Sequence, residues 1–316
     1  MRVGITGASG FIGKNLLKAC ISRDYQVNVL TRSSHKIPLY SNKLKIVIGD
    51  LMAPDSLNDF VDEIDVLYHC AGEIKDRESM YAVHVSGTNN LIDAAKNKIK
   101  HWVQLSSVGV YGPVMSGKVT EDSPPQPVGE YERTKYMSDE MLIEKSAQAN
   151  FTYTILRPSN VFGNDMRNQS LYSLISMIDK RLFFFVGKNK AFTNYLHVDN
   201  VIEALILCGT NKSAHGNVYN LSNCMPLSDV VNEVSRALGR ENYIFTIPEP
   251  IARWFAHIFG NIPGFPLKST RVDALTKQST YPINKIQNEL CYKHIVTSSY
   301  GIKKLVAEWQ RKKGVI

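Results

Sequence analysis

The stretch RVGITGASGFIGKNLLKACIS, residues 2–22, decides how the rest of the chain reads. It opens on a short β-branched apolar run (RVGIT, 2–6), turns through glycines at 7, 10 and 13, and continues as a helix-compatible segment. A glycine turn between strand and helix lets the backbone approach a pyrophosphate, and the free amides of the helix's first turn point at it. Such a string alone is common. Its position directly after the first strand gives it weight.

Working outward, apolar strand-like runs recur at QVNVLTR (26–32), LKIVIGD (44–50), DVLYHCAG (65–72), HWVQLSSVGVYG (101–112) and FTYTILRPSNVFG (151–163). Amphipathic helical segments separate them, within 55–64, 79–98 and 130–147. Near-continuous apolar strands alternating with helices predict an α/β fold, a doubly wound parallel sheet of the Rossmann type covered on both faces. Ligands of such a sheet bind outside the carboxyl ends of the strands.

The rhythm breaks after about residue 165. A smaller, mainly helical module follows, interrupted by prolines at 248, 250, 263, 266 and 282. The expected division is a dinucleotide-binding domain of residues 1–165 plus 191–222, and a substrate-binding domain of 166–190 plus 223–316. The segment PIARWFAHIFGNIPGF (250–265) is amphipathic and aromatic, and is read as packing in the core or against another subunit rather than on a membrane.

Bulk properties narrow the function. The 316 residues are 44% hydrophobic and 21% charged, with a net charge of +8. Lysines and arginines run along the whole chain rather than in one stripe, which favours attraction to anionic small ligands over nucleic acid. The longest apolar bursts, such as LFFFVG (182–187), are far short of a membrane span, so no integral membrane segment is expected. No secretory pattern stands at the start, and the five scattered cysteines read as reduced, mostly buried thiols, so a cytoplasmic protein is expected. No metal site is expected, because no cysteine or histidine spacing matches a ligand set.

The end of the second strand bears on the cofactor. A site for NAD usually carries an acid there for the ribose hydroxyls, whereas a 2′-phosphate calls for a cation. This chain has Thr31 and Arg32 there and no acid. The forked guanidinium of Arg32 suits a phosphate, so NADP(H) is expected in preference to NAD(H). Asp50, ending IVIGD, is placed to meet the adenine edge.

Tyr131 and Lys135, in GEYERTKYMSDE (129–140), are four residues apart on a predicted helix and share a face. An isolated tyrosine, with a reference pKa of about 10, is a poor base at neutral pH. A nearby ammonium favours the phenolate and is expected to bring proton exchange towards the working range.

Nine stretches in order resemble the extended short-chain dehydrogenase/reductases, the group of NAD(P)-dependent epimerases, dehydratases and ketoreductases acting on sugar nucleotides. They are TGASGFIG (6–13), GDL (49–51), HCAG (69–72), VSGTNNLIDAA (85–95), LSSVGVYG (105–112), YERTK (131–135), LRPSNVFG (156–163), YLHVDNV (195–201) and VYNLS (218–222). The resemblance implies that Tyr131 and Lys135 are the catalytic pair and that Ser107, rather than Ser106, is the partner hydroxyl. It implies cofactor contacts from Gly7, Ser9, Gly10, Phe11, Ile12, Gly13, Asp50, Leu51, Cys70, Ala71, Gly72 and Pro158, besides Tyr131 and Lys135. Substrate contacts are implied at Ser107, Val108, Asn160 and, on a looser alignment, Arg271. A homodimer through the helices holding VSGTNNLIDAA and EYERTKYMSDE is expected by the same analogy.

Departures from the pattern narrow the chemistry. Dehydratases of the group carry Thr-Asp-Glu where this chain has Ser107-Val108-Gly109, so elimination of water lacks its acid and base. Arg32 and its implied NADPH favour net reduction over redox-neutral epimerisation. The expected function is reduction of a 4-keto nucleotide sugar, with a nucleotide-sugar 4-epimerase as the alternative. A hydrophobic ketone reductase or a non-catalytic cofactor-binding protein stands further off. His84 replaces the usual asparagine of the Asn-Val-x-Gly-Thr motif and is read as a packing residue near the cofactor side, Thr193 stands where some epimerases have a phosphate-binding arginine, and His197 is read as structural.

Overall fold

The computed structural model describes residues 1–37, 39–166, 168–188, 190–241, 245–259 and 267–314. Its first half runs β1 (Arg2–Thr6), α1 (Phe11–Ser22), β2 (Gln26–Thr31), β3 (Leu44–Ile48), α2 (Asn58–Val61), β4 (Val66–His69), α3 (Arg77–Tyr81), α4 (Gly87–Ala95), β5 (His101–Leu105), β6 (Ser116–Lys118), α5 (Glu130–Ser146), β7 (Thr152–Pro158) and β8 (Asn160–Phe162). The second half runs α6 (Ser170–Asp179), β9 (Phe185–Val186), β10 (Phe192–His197), α7 (Val198–Thr210), β11 (Asn217–Leu221), β12 (Cys224–Pro226), α8 (Leu227–Ala237), β13 (Thr246–Ile247), α9 (Glu249–Phe259), α10 (Ser269–Thr276), β14 (Gln278–Thr280), α11 (Asn284–Leu290) and α12 (Ser298–Lys312).

Seven strands form one sheet in the order β11-β7-β5-β4-β1-β2-β3. Every pairing in it is parallel. Parallel strands need crossovers that bury both faces. One face packs Leu16, Leu17 and Cys20 of α1 and Val201, Leu205 and Cys208 of α7 against Val3, Ile5 and Val29. On the other, Phe60 of α2, Leu91 and Ile92 of α4 and Leu142 of α5 pack against Leu67, Trp102 and Ile155. The strand order reverses between β1 and β4, and the carboxyl ends of these two strands frame the crevice where such sheets take ligands.

The run read as one strand over 151–163 is two. β7 belongs to the large sheet, whereas β8 pairs with β10, in a small sheet completed by β12. The chain changes sheets at Ser159, directly after Pro158, so the residues that follow hang over the crevice. Helices α6, α8 and α12 gather a separate core around Phe162, Phe185 and Trp309. All five cysteines are free; Cys20 and Cys208 are buried, but Cys224 and Cys291 are exposed, against the expectation of mostly buried thiols. No described helix is long and apolar enough to cross a membrane, and no cluster of metal-ligating side chains occurs among the described residues.

Candidate active site

The turn after β1 is built so that only glycine fits. Gly7 takes a positive φ of 69°, and a Cβ there would lie 2.6 Å from the carbonyl oxygen of Cys70. A Cβ on Gly13 would stand 2.2 Å from the Gly7 oxygen. Gly10 N–H donates to that same oxygen at 2.8 Å, closing the turn. Helix α1 then starts with no side chain capping its first amides. Those amides face the crevice between β1 and β4, where an anion meets the positive end of the helix dipole.

A cavity of about 330 Å³ opens there. Among its lining residues are Gly10, Phe11, Ile12 and Gly13 of the turn, Cys70, Ala71 and Gly72 after β4, Ser107 after β5, Tyr131 and Lys135 of α5, and Pro158 and Asn160. Most residues singled out in the sequence therefore converge. Gly7 lies beneath the turn. Ser9 tops it, exposed and outside the lining. Leu51 and Val108 are buried in the cores, each 8% exposed. Asp50 accepts the Met52 N–H at 3.0 Å beyond β3. Arg32 is exposed just past β2 and makes no hydrogen bond or ion pair among the described residues. Arg271 is not brought to this cavity: it lies on α10, half-buried, with its guanidinium against the Met177 sulfur of α6.

Ser106 and Ser107 part company at the end of β5. Ser106, 3% exposed, lines the cavity too, but its hydroxyl is committed to Asp139 Oδ2, to which it donates at 2.7 Å. Ser107 accepts the Gly109 N–H at 3.0 Å and stands in hydrogen-bonding approach to the Tyr131 hydroxyl. Asp139 also receives Nε and Nη2 of Arg157, each at 3.2 Å. Arg157 continues to the Tyr111 hydroxyl at 3.0 Å, and Tyr111 donates to Asn220 Oδ1 at 2.9 Å. This buried network ties α5 to β5, β7 and β11.

Burial pushes the Tyr131 phenol up to about 12, while the Ser107 hydroxyl works the other way and the carboxylates of Glu132 and Asp139 add to the rise. Burial thus acts on Tyr131 in the direction opposite to that expected of the Lys135 ammonium, which favours the phenolate. Lys135 is 4% exposed and is itself pushed down by burial, with Asp139 one turn below pulling it back up. It forms no hydrogen bond to a described residue. At neutral pH the phenol keeps its proton and is a donor.

Sequence reading placed His84 near the cofactor but did not find its role. It sits in a π-turn, Ala82–Ser86, between α3 and α4, a distortion that often marks functional sites. Its Nε2 accepts the Glu73 N–H at 2.9 Å. Nδ1 is therefore the protonated nitrogen and donates to Thr134 Oγ1 at 2.8 Å. Burial, followed by Lys135, lowers its pKa to about 3, so the ring is neutral. It crosses the Tyr131 ring edge-on at 5.6 Å and pins the loop after β4 to the helix carrying the Tyr-Lys pair. Elsewhere, His197 accepts the Asp199 N–H at 3.3 Å as the cap of α7, and Thr193 donates to the Met225 carbonyl at 3.1 Å.

The residues present fit a nicotinamide dinucleotide. The glycine cradle and uncapped helix suit its pyrophosphate, and the Lys135 ammonium suits ribose hydroxyls. Ser159 Oγ, buried at the cavity wall, has no hydrogen-bond partner among the described residues.

Comparison with known proteins agrees with this geometry. The chain is 27% identical, over 90% of its length and 88% of the relative's, to the N-acetyl-α-D-glucosaminyl-diphospho-ditrans,octacis-undecaprenol 4-epimerase of Escherichia coli O157:H7. It is 26% identical to the 4-hydroxy-2-methyl-3-oxo-4-farnesyl-3,4-dihydroquinoline-1-oxide ketoreductase of Stigmatella aurantiaca, over 96% of both chains. The fold superposes on UDP-glucuronic acid 4-epimerase from Bacillus cereus in complex with NAD, with a TM-score of 0.75 at 21% identity over 99% of each chain. Residues 3–222, the span that builds the large sheet and this cavity, match the model of one family, and the chain belongs to it: the NAD dependent epimerase/dehydratase family, enzymes of the extended short-chain dehydrogenase/reductase type.

Proposed function

We propose that the enzyme reduces the 4-keto group of a sugar carried on a nucleoside diphosphate, with NADPH as reductant. The observation that carries this reading is the convergence of Tyr131, Ser107 and Lys135 on the same cavity as the glycine turn. The nicotinamide, when bound, supplies hydride to the carbonyl carbon. Ser107 donates a hydrogen bond to the carbonyl oxygen, and Tyr131 hands its proton to that oxygen as negative charge grows there. The Lys135 ammonium steadies the phenolate left behind until solvent returns the proton.

Arg32 supports the choice of NADPH, because it is an exposed guanidinium, unpaired among the described residues, where an NAD site would carry an acid. Asn160, exposed at the cavity rim on β8, is suited to a sugar or phosphate oxygen. Ser107-Val108-Gly109 offers no acid–base pair, which argues against elimination of water. A pairing of two chains through α4 and α5 belongs to the same reading, supported by exposed Met137 (42%) and Ile143 (37%) on α5.

Epimerisation at C4 is the second reading, favoured by the name of the Escherichia coli relative. The test is incubation with NADPH and a panel of nucleotide-linked 4-keto sugars, followed at roughly 340 nm, the reduced nicotinamide band. Absorbance should fall with one of them. No oxidation across the panel, together with interconversion of ordinary UDP-sugars, replaces reduction by epimerisation.

A further inference from the structure

Helix α9 carries an apolar face that is left uncovered among the described residues. Ala252 and Ala256 turn inward onto Val186, Leu267 and Val272. Ile251, Trp254, Phe255 and Ile258 turn outward and are 48%, 56%, 40% and 46% exposed. Their spacing puts them on one stripe of the helix. Trp254 meets Phe255 edge-on at 5.1 Å, and Phe255 stacks on Phe259 at 5.9 Å, so the stripe is a connected aromatic surface. Leu182 and Phe245, 61% and 54% exposed, flank the paired strands β9 and β13 beside it. Sequence reading assigned this segment to core or subunit packing. Within the described chain, through Phe259, only the Ala252 and Ala256 side joins a core; residues 260–265 lie outside the described ones.

The charge around this patch is one-sided. Residues 180–190 and 245–280 contain eight lysines and arginines but two acids, Glu249 and Asp273. Both acids are paired with Arg253, at 2.8 and 2.9 Å. Lys188, Lys190 and Lys268 are exposed and make no ion pair among the described residues. Lys188 and Lys190 line a cavity of about 540 Å³ with Thr246, Glu249 and Thr276, at the foot of α9.

We propose that α9 docks on the surface of an anionic phospholipid bilayer, lying in the interface plane with the Trp254 and Phe255 face against the acyl boundary. The lysines beside it meet headgroup phosphates. Aromatic residues backed by unpaired cations suit that boundary, where one side is apolar and the other anionic and wet. Charge selects this occupant over a second copy of the chain. Apposing two copies of the face would bring its lysines together, a like-charge contact that disfavours association. The docking is peripheral, since no described helix can span. It stands independently of the reductase reading.

The full chain is sedimented with vesicles of phosphatidylcholine and phosphatidylglycerol in equal parts, and with phosphatidylcholine alone. Of the three tryptophans, Trp102 and Trp309 are 0% and 9% exposed, so a blue shift of fluorescence reports Trp254. Expected are pelleting with the anionic vesicles, a blue shift, release by salt, and at least about tenfold weaker binding for the Trp254→Ser/Phe255→Ser double variant. The variant should keep the wild-type thermal melt, because both side chains are exposed. No pelleting at millimolar lipid, or equal binding by the double variant, overturns the proposal. A concentration-dependent dimer that this variant dissolves also overturns it, giving the face to a second copy.

Discussion

Replacing His84 with glutamine separates the ring's charge from its shape, and the effect should appear in the pH dependence of stability. In the folded chain burial lowers His84 from 6.5 to about 3. In the unfolded chain it titrates near its ordinary value of about 6.5. The folded value lies below the unfolded one, so the contribution is whole above about 6.5 and is lost as pH falls towards 3. Between pH 7 and pH 5 the unfolded state takes up most of a proton that the folded state refuses. Integrated over that window, the penalty is about 2 kcal/mol. His101, lowered by burial to about 4, adds a similar amount in the same direction. Glutamine can accept from Glu73 N–H and donate to Thr134 without titrating. Its cost at pH 7 is roughly 1–2 kcal/mol for imperfect hydrogen bonds, but the loss between pH 7 and pH 5 should shrink by about 2 kcal/mol. Urea unfolding of both proteins at pH 7, 6 and 5 measures this directly. Equal pH dependence in wild type and variant would show that His84 is not buried neutral, and the pinning of α5 by its tautomer would fail with it.

Three further outcomes are expected. Tyr131→Phe should lower turnover by at least about a hundredfold while NADPH affinity, read by fluorescence titration, changes little; unaltered turnover removes Tyr131 as the proton donor. Arg32→Ala should weaken NADPH by about tenfold or more and leave NADH unaffected, and parallel losses for both cofactors would place the guanidinium elsewhere. Arg157→Leu strands the buried Asp139 carboxylate, whose Oδ1 already lacks a hydrogen-bond partner among the described residues. It should destabilise the fold by roughly 3–5 kcal/mol, with partial recovery when Asp139→Asn is added, both read from chemical denaturation.

The alternation of apolar strands and amphipathic helices was legible because a parallel sheet buried on both faces demands it. The glycine turn was equally legible, since Gly7 and Gly13 stand where any Cβ would strike the backbone. The break at Ser159 was not. A run of apolar residues carries no mark of which sheet it joins, and only the pairing of β8 with β10 separates it from β7. Ser106 and Ser107 are adjacent and chemically identical, and both line the cavity; only the fold commits the Ser106 hydroxyl to Asp139. Arg271 was placed by a loose alignment; its side chain lies against Met177 of α6, outside the lining of the cavity.

By itself, the sequence determined the doubly wound sheet, the phosphate turn, the Tyr-Lys spacing and the cation after β2, all features encoded in local pattern or in a few neighbouring residues. Tertiary structure decided what depends on burial and on partners distant in the chain. Desolvation, which exists only in the folded chain, raises the Tyr131 phenol, opposite to the pull expected from Lys135. The bond from His84 to Thr134 joins residues 50 positions apart. The face of α9 reads in sequence as packing in the core or against another subunit, and it is exposed among the described residues, because periodicity shows that a stripe is apolar and only packing shows whether anything covers it.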